Sequence, residues 1–140
     1  MAGFRYLLDT NILSDLLRNP GGPASRRLAV VGDATVCTSI VVACELRYGA
    51  AKKGSPRLTE RVEALLASLE ILSLEKDCDR CYAEVRSHLD RKGKPIGPND
   101  LLIAAHALAL GLILVTDNVE EFARVPGLAV ENWLLPDPFA

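Results

Sequence analysis

Residues 97–117 read GPNDLLIAAHALALGLILVTD, and the order of features in this stretch decides the architecture. From Asn99 or Asp100 to Leu110 the residues are apolar nearly all round a helix, with no charged stripe to face water, so the helix belongs in the middle of the fold. Gly111 can adopt the conformation that closes a helix, and Leu112–Thr116 then reads as a strand that delivers Asp117 to its carboxyl end. A buried helix running straight into a buried strand indicates an α/β protein whose parallel sheet is covered on both faces.

The rest of the chain repeats this alternation. Arg5–Asp9 is a short apolar strand ending on an acid, and Asn11–Arg18, with apolar residues at 12, 13, 16 and 17, follows as a helix capped by Thr10 or Asn11. Asn19-Pro20-Gly21-Gly22 stops it. A second helix over Pro23–Val31, a strand over Thr35–Thr38 and a third helix capped by Ser39 come next, with Gly49 and Gly54 marking a fraying end. Pro56–Leu69 carries Leu58, Val62, Leu65, Leu66 and Leu69 on one stripe. Ile71–Leu74 reads as a strand, Lys76–Arg91 as a helix ended by Gly93, Val119–Arg124 as a short helix and Ala129–Trp133 as an edge strand. The expectation is a single α/β domain over residues 1–140, with a parallel sheet of four to five strands, right-handed crossovers and helices on both faces.

Bulk properties narrow the function. A chain of 140 residues can bury a real core without disulfides. No apolar run approaches the roughly 20 residues needed to span a bilayer, and the start lacks a basic region leading into a long apolar segment, so the expectation is a soluble cytoplasmic protein with no membrane partner. A net charge of −2 excludes nucleic-acid binding by overall charge and leaves only local binding. Cys37, Cys44, Cys78 and Cys81 suit no disulfide scaffold, and the Cys78/Cys81 pair, at helical spacing with no second pair or nearby histidines, reads as packing. His88 and His106 have no partner at ligand spacing and read as structural or solvent-facing.

Three acids are not placed as surface charges would be. Asp9 ends an apolar strand, Glu45 lies in the second turn of a largely apolar helix, and Asp100 opens a nearly all-apolar one. Each has a bland reading: Asp9 as a helix cap, Asp100 as a partner of its helix dipole, Glu45 as one half of an ion pair with Arg47 or a distant cation. Together they suggest a carboxylate cluster, which persists in a partly dry cleft only if a cation compensates it. Oxygen ligands of this kind suit Mg²⁺ or Mn²⁺ and point to phosphodiester hydrolysis. In open α/β sheets, sites collect beyond the carboxyl ends of strands, where Asp9 and Asp117 both stand.

At this point the chain resembles the VapC-type ribonuclease toxins of the PIN-domain superfamily. The resemblance rests on Leu7-Leu8-Asp9-Thr10-Asn11, on Ser39 followed by Glu45-Leu46 and Gly49, on Ile96-Gly97-Pro98-Asn99-Asp100 leading into Ile103-Ala104-Ala105, on Val115-Thr116-Asp117-Asn118 with Glu121-Phe122, and on an ending around Val130-Glu131-Asn132-Trp133. It implies a Mg²⁺-dependent endoribonuclease (Mn²⁺ as substitute), with Asp9, Glu45, Asp100 and Asp117 as catalytic metal ligands. Asn118 and Glu121 are rivals for the fourth place. Thr10, Asn11, Ser39, Thr116 and Asn118 are its supporting polar residues. It also implies a homodimer and a VapB-type antitoxin partner whose segment enters the cleft. Lys52, Lys53, Arg57 and Arg61, and Arg91, Lys92 and Lys94, are basic stretches that bind RNA phosphates if they flank the cleft. The alternative is a catalytically weak relative, in which the same fold binds RNA or a protein partner.

Overall fold

The computed structural model describes residues 3–136. Its strands are β1 (Tyr6–Leu8), β2 (Val36–Ser39), β3 (Glu70–Leu72), β4 (Ile113–Val115) and β5 (Val130–Glu131). They form one sheet in the order β3, β2, β1, β4, β5, and every neighbouring pair is parallel. Seven α-helices occur among the described residues: α1 (Thr10–Arg18), α2 (Pro23–Val31), α3 (Ile40–Lys53), α4 (Pro56–Ala67), α5 (Cys78–Arg91), α6 (Pro98–Leu110) and α7 (Val119–Phe122). The expected single α/β domain with a parallel sheet is what the chain forms. No helix among the described residues is long and apolar enough to cross a membrane.

Every residue of β1 and β2 is buried. Successive side chains of a strand point to opposite faces, so both faces of the sheet centre are covered by helices, as the unbroken apolar runs required. Helix α6 lies in the interior, with Ile103, Ala104 and Ala107 fully buried. Gly111, at φ +67°, ends it by donating its N–H to the Leu108 carbonyl at 3.2 Å. At the far end of the described chain, Trp133 is buried and packs edge-on against Tyr6 of β1, their ring centroids 5.1 Å apart.

Several boundaries differ from the sequence expectation. Asp9, not Thr10 or Asn11, caps α1: its Oδ1 accepts the Thr10 N–H at 2.8 Å. Helix α3 runs through Gly49 without fraying and stops at Gly54, which has φ +67°. The glycine's propensity penalty of about 1 kcal/mol is offset there by burial of Leu46 and Ala50 on either side. Helix α5 starts at Cys78 instead of Lys76 because Asp77 sits at φ +85°, a conformation no helix residue adopts.

The strand order puts a reversal at the centre. From β1 the chain moves outward through β2 to β3, then returns to the other side of β1 for β4 and β5. The carboxyl ends of β1 and β4 therefore border the crevice where ligands bind in open parallel sheets. The register sets Leu8 beside Val115, which brings Asp9 and Thr116 side by side just beyond them.

Truncating a fully buried strand residue tests this core. Leu114→Ala is expected to lower unfolding free energy by about 2–5 kcal/mol in urea titration. Val30→Ala, at a side chain that is 79% exposed, is expected to change it by less than about 0.5 kcal/mol. Equal effects at the two positions would contradict the assigned burial.

Candidate active site

Asp9 is buried at the end of β1, where its carboxylate is bound on several sides. Oδ1 accepts the Thr10 N–H, and Oδ2 accepts the Thr116 hydroxyl at 2.8 Å and the Asn11 amide at 3.4 Å. Burial pushes the Asp9 carboxyl above its usual range, the Thr116 and Thr10 hydrogen bonds oppose the shift, and the Glu45 charge adds to it.

Glu45 reaches the same cleft from the side, on α3. Its Oε1 accepts the Thr10 hydroxyl at 2.7 Å and its Oε2 the Asn99 amide at 3.5 Å. It does not pair with Arg47, which binds Glu63 instead at 2.9 Å. Asp100 arrives from the first turn of α6. Burial first, then a hydrogen bond and a charge from Glu121, then the charges of Asp9 and Glu45, push its carboxyl up to about 7. Two carboxylates this close repel each other, which is why Asp100 resists ionisation beside Glu121.

The cleft has a volume of about 390 Å³ and is lined by Asp9, Thr10, Asn11, Ser14, Arg18, Glu45, Asp100 and Asn118. Among the described residues, no lysine or arginine forms an ion pair with Asp9, Glu45, Asp100 or Glu121. No three carboxylate, imidazole or thiol groups of the described residues close around a common point as a ready-made ion cage. The acids stand around an open cleft, an arrangement that suits a hydrated Mg²⁺, which keeps several waters and takes only one or two protein carboxylates.

The supporting polar residues tie this cleft together. The Thr116 hydroxyl also accepts the Asn118 N–H at 3.1 Å, and Asn11 bridges β1 to the β4 end by accepting the Asp117 N–H at 2.8 Å. Ser39, at the end of β2, caps α3 by accepting the Val41 N–H at 3.1 Å. Its hydroxyl then has its hydrogen free to donate to His106 Nδ1, 2.8 Å away on α6. Both partners are buried, so this bond fixes the helix bearing Glu45 to the helix bearing Asp100. His106 is thus structural, as expected, and burial lowers its pKa so that it stays neutral.

The fourth acid divides the expectations. Asp117 is exposed, does not line the cleft, and its Oδ1 accepts the Asn132 amide at 3.1 Å. Thr116 turns its hydroxyl toward Asp9, and the chain bends at Asp117, whose backbone N–H is held by the Asn11 side chain. Glu121 instead stands against Asp100, held there by the Gly97 N–H at 3.2 Å and by the Asn118 amide. Sequence reasoning did not single out Ser14 and Arg18. With Asn11 they recur at i, i+3 and i+7 along α1, a polar stripe on a helix whose opposite face is core.

The chain is similar to known proteins over nearly its whole length. The PIN domain family model matches residues 6–128. Ribonuclease VapC2 of Rickettsia felis is 38% identical over 130 residues, covering 91% of this chain and 97% of its own. The tRNA(fMet)-specific endonuclease VapC of Salmonella typhimurium is 35% identical over 130 residues, 92% of this chain and 98% of its own. Among solved structures, DNA-bound VapBC from Salmonella typhimurium superposes with a TM-score of 0.87 at 35% identity, over 93% of this chain and 98% of that one. VapBC2 from Rickettsia felis, bound to a promoter DNA fragment, gives 0.86 at 36% identity over 93% and 99%. With its parallel sheet, its acids at the strand reversal and these relatives, the chain belongs to the PIN-domain family, in its VapC branch.

Proposed function

We propose that this protein is a divalent-metal-dependent endoribonuclease that serves as the toxin of a toxin–antitoxin pair. The observation that carries the reading is the uncompensated meeting of Asp9, Glu45, Asp100 and Glu121 at the strand reversal, which a bound cation would relieve. Asp9 and Asp100 are the proposed holders of Mg²⁺ or Mn²⁺, with Glu45 and Glu121 bordering them. A divalent ion, when bound, supplies Lewis-acid stabilisation of charge on the phosphoryl oxygens and acidifies the attacking water.

The chain's own groups do the remaining work. A carboxylate that borders the ion, Glu121 in this reading, takes the proton of the water that attacks phosphorus. The bond from phosphorus to the leaving ribose oxygen breaks, that oxygen takes a proton from solvent water, and the products are one phosphate monoester and one hydroxyl. Thr116 and Thr10 orient the Asp9 carboxylate, and Asn118 orients Glu121. Arg18, at the rim, supplies a positive charge for the substrate phosphate.

The antitoxin is the second part of this reading. A groove of about 200 Å³ between α1, α3 and α4, with Leu17, Leu46, Leu58 and Val62 in its walls, shares Thr10, Ser14, Arg18 and Glu45 with the acidic cleft. A VapB-type segment with an apolar side chain in this groove would reach the acids. Homodimerisation belongs to the same proposal, and exposed Val30 and Tyr48 are apolar surface available to it.

Two outcomes are expected. In RNA cleavage with Mg²⁺, Asp9→Asn, Asp100→Asn and Glu121→Gln should each lose about 100-fold or more in rate, while Asp117→Asn stays within a few-fold of wild type. Loss at Asp117 with retention at Glu121 would reverse the assignment of the fourth acid, and activity unaffected by any of them or by metal would remove the nuclease reading.

The second concerns stability without metal. The Asp100 carboxyl rises from an ordinary 3.8 to about 7 in the folded chain. Between those values the native state binds more protons than the unfolded state, so stability falls as pH rises through this window. Wild type should therefore lose thermal stability relative to Asp100→Asn between about pH 4 and pH 7, the span of that shift. Parallel melting curves against pH would show that the carboxyl is not raised.

A further inference from the structure

The cations of the sequence do not act as one surface. Lys92 and Lys94, together with His88, Leu89 and Arg124, line a concavity of about 230 Å³ that no acidic residue lines. Arg91 faces elsewhere, donating to Ser87 Oγ at 3.0 Å and lining a separate hollow with Glu84. Lys53 borders the apolar groove at the end of α3. We infer that His88, Lys92, Lys94 and Arg124 form a binding site for a backbone phosphate of the RNA strand, offset from the scissile phosphate by the Pro95–Gly97 loop. The inference rests on the ribonuclease reading and assigns the substrate a second anchor.

The site is built by local geometry. Helix α5 ends in a six-residue turn closed by Lys94 N–H to the Leu89 carbonyl at 3.0 Å and Gly93 N–H to the Asp90 carbonyl at 3.1 Å. Gly93, at φ +67°, makes that turn possible and sets Lys92 and Lys94 on either side of it. Cations at a helix carboxyl end also relieve the dipole, which would account for the lysines alone. It does not account for Arg124, which comes from beyond α7 and points its Nη1 at the Pro95 carbonyl, 3.4 Å away.

The segment formed by α7 and the turn after it faces both sites. Glu121 holds Gly97 N–H on the acidic side, and Arg124, three residues on, holds Pro95 on the basic side. The loop between them leads directly into Asp100. No ion pair among the described residues engages Lys92, Lys94 or Arg124, so their charge is available to a ligand. A chain of net charge −2 whose cleft is lined with carboxylates repels a polyanion, and an acid-free cationic pocket next to that cleft offsets the repulsion where the strand must pass.

The experiment is RNA binding by fluorescence anisotropy, with mixed-sequence single-stranded RNA and EDTA present to prevent hydrolysis, across a salt series. Lys92→Ala, Lys94→Ala and Arg124→Ala should each weaken binding irrespective of sequence and reduce the slope of log Kd against log salt by about 0.7. Lys92→Arg and Lys94→Arg should restore it. Arg80→Ala, at an exposed side chain near Asp77 on the other end of α5, should leave the slope unchanged. Alanine variants that melt like wild type and keep its affinity and slope would overturn the inference while leaving the ribonuclease reading intact. So would unchanged RNA binding combined with lost salt-dependent association with a purified antitoxin, which makes the pocket a protein contact. Wild type that neither binds nor cleaves RNA would overturn the ribonuclease reading itself.

Discussion

Carboxylates gathered out of water repel one another, and the architecture around the strand reversal is organised by that constraint. Asp9 is brought to the end of β1 by an apolar strand that must be buried, Asp100 by a helix that must be buried, and Glu45 by a helix fixed to β2 through its Ser39 cap. Hydrogen bonds from Thr10, Asn11 and Thr116 compensate part of the Asp9 charge. The Asp100 carboxyl, buried beside Glu121, is left raised. What the chain leaves uncompensated is a site for a cation, and in the proposed mechanism that cation makes the cluster reactive.

Much of this was legible in the residues. The alternation of apolar strands and helices, the interior position of α6 and the delivery of Asp9 to a strand end all follow from hydrophobic periodicity, which burial enforces strongly. Asp9, Glu45 and Asp100 were readable as a set because each sits where a surface charge has no reason to be. Boundaries were less legible. The early stop at Asp77 is a backbone conformation that composition does not encode, and the persistence of α3 through Gly49 depends on packing from α1 and α4.

The fourth acid was illegible for a geometric reason. Asp117 and Glu121 are both acidic, both follow β4 and both were candidates. The choice between them turns on how the chain bends after β4, where Thr116 bonds Asp9 across the sheet and Asn11 holds the Asp117 N–H. Ser14 and Arg18 were hidden differently: their polar stripe was present, but a helix face that is polar for solvent and one that is polar for a cleft look alike in one dimension.

In the proposed mechanism a divalent ion displaces the proton of the raised Asp100 carboxyl near neutral pH. Calorimetric titration of Mn²⁺ into the protein at pH 6.5, in buffers of different ionisation enthalpy, measures both the binding and the protons that accompany it. Saturable binding with net proton release, reduced or lost in Asp100→Asn, is the expected result. Binding without proton release, or equal binding by the variant, would contradict it.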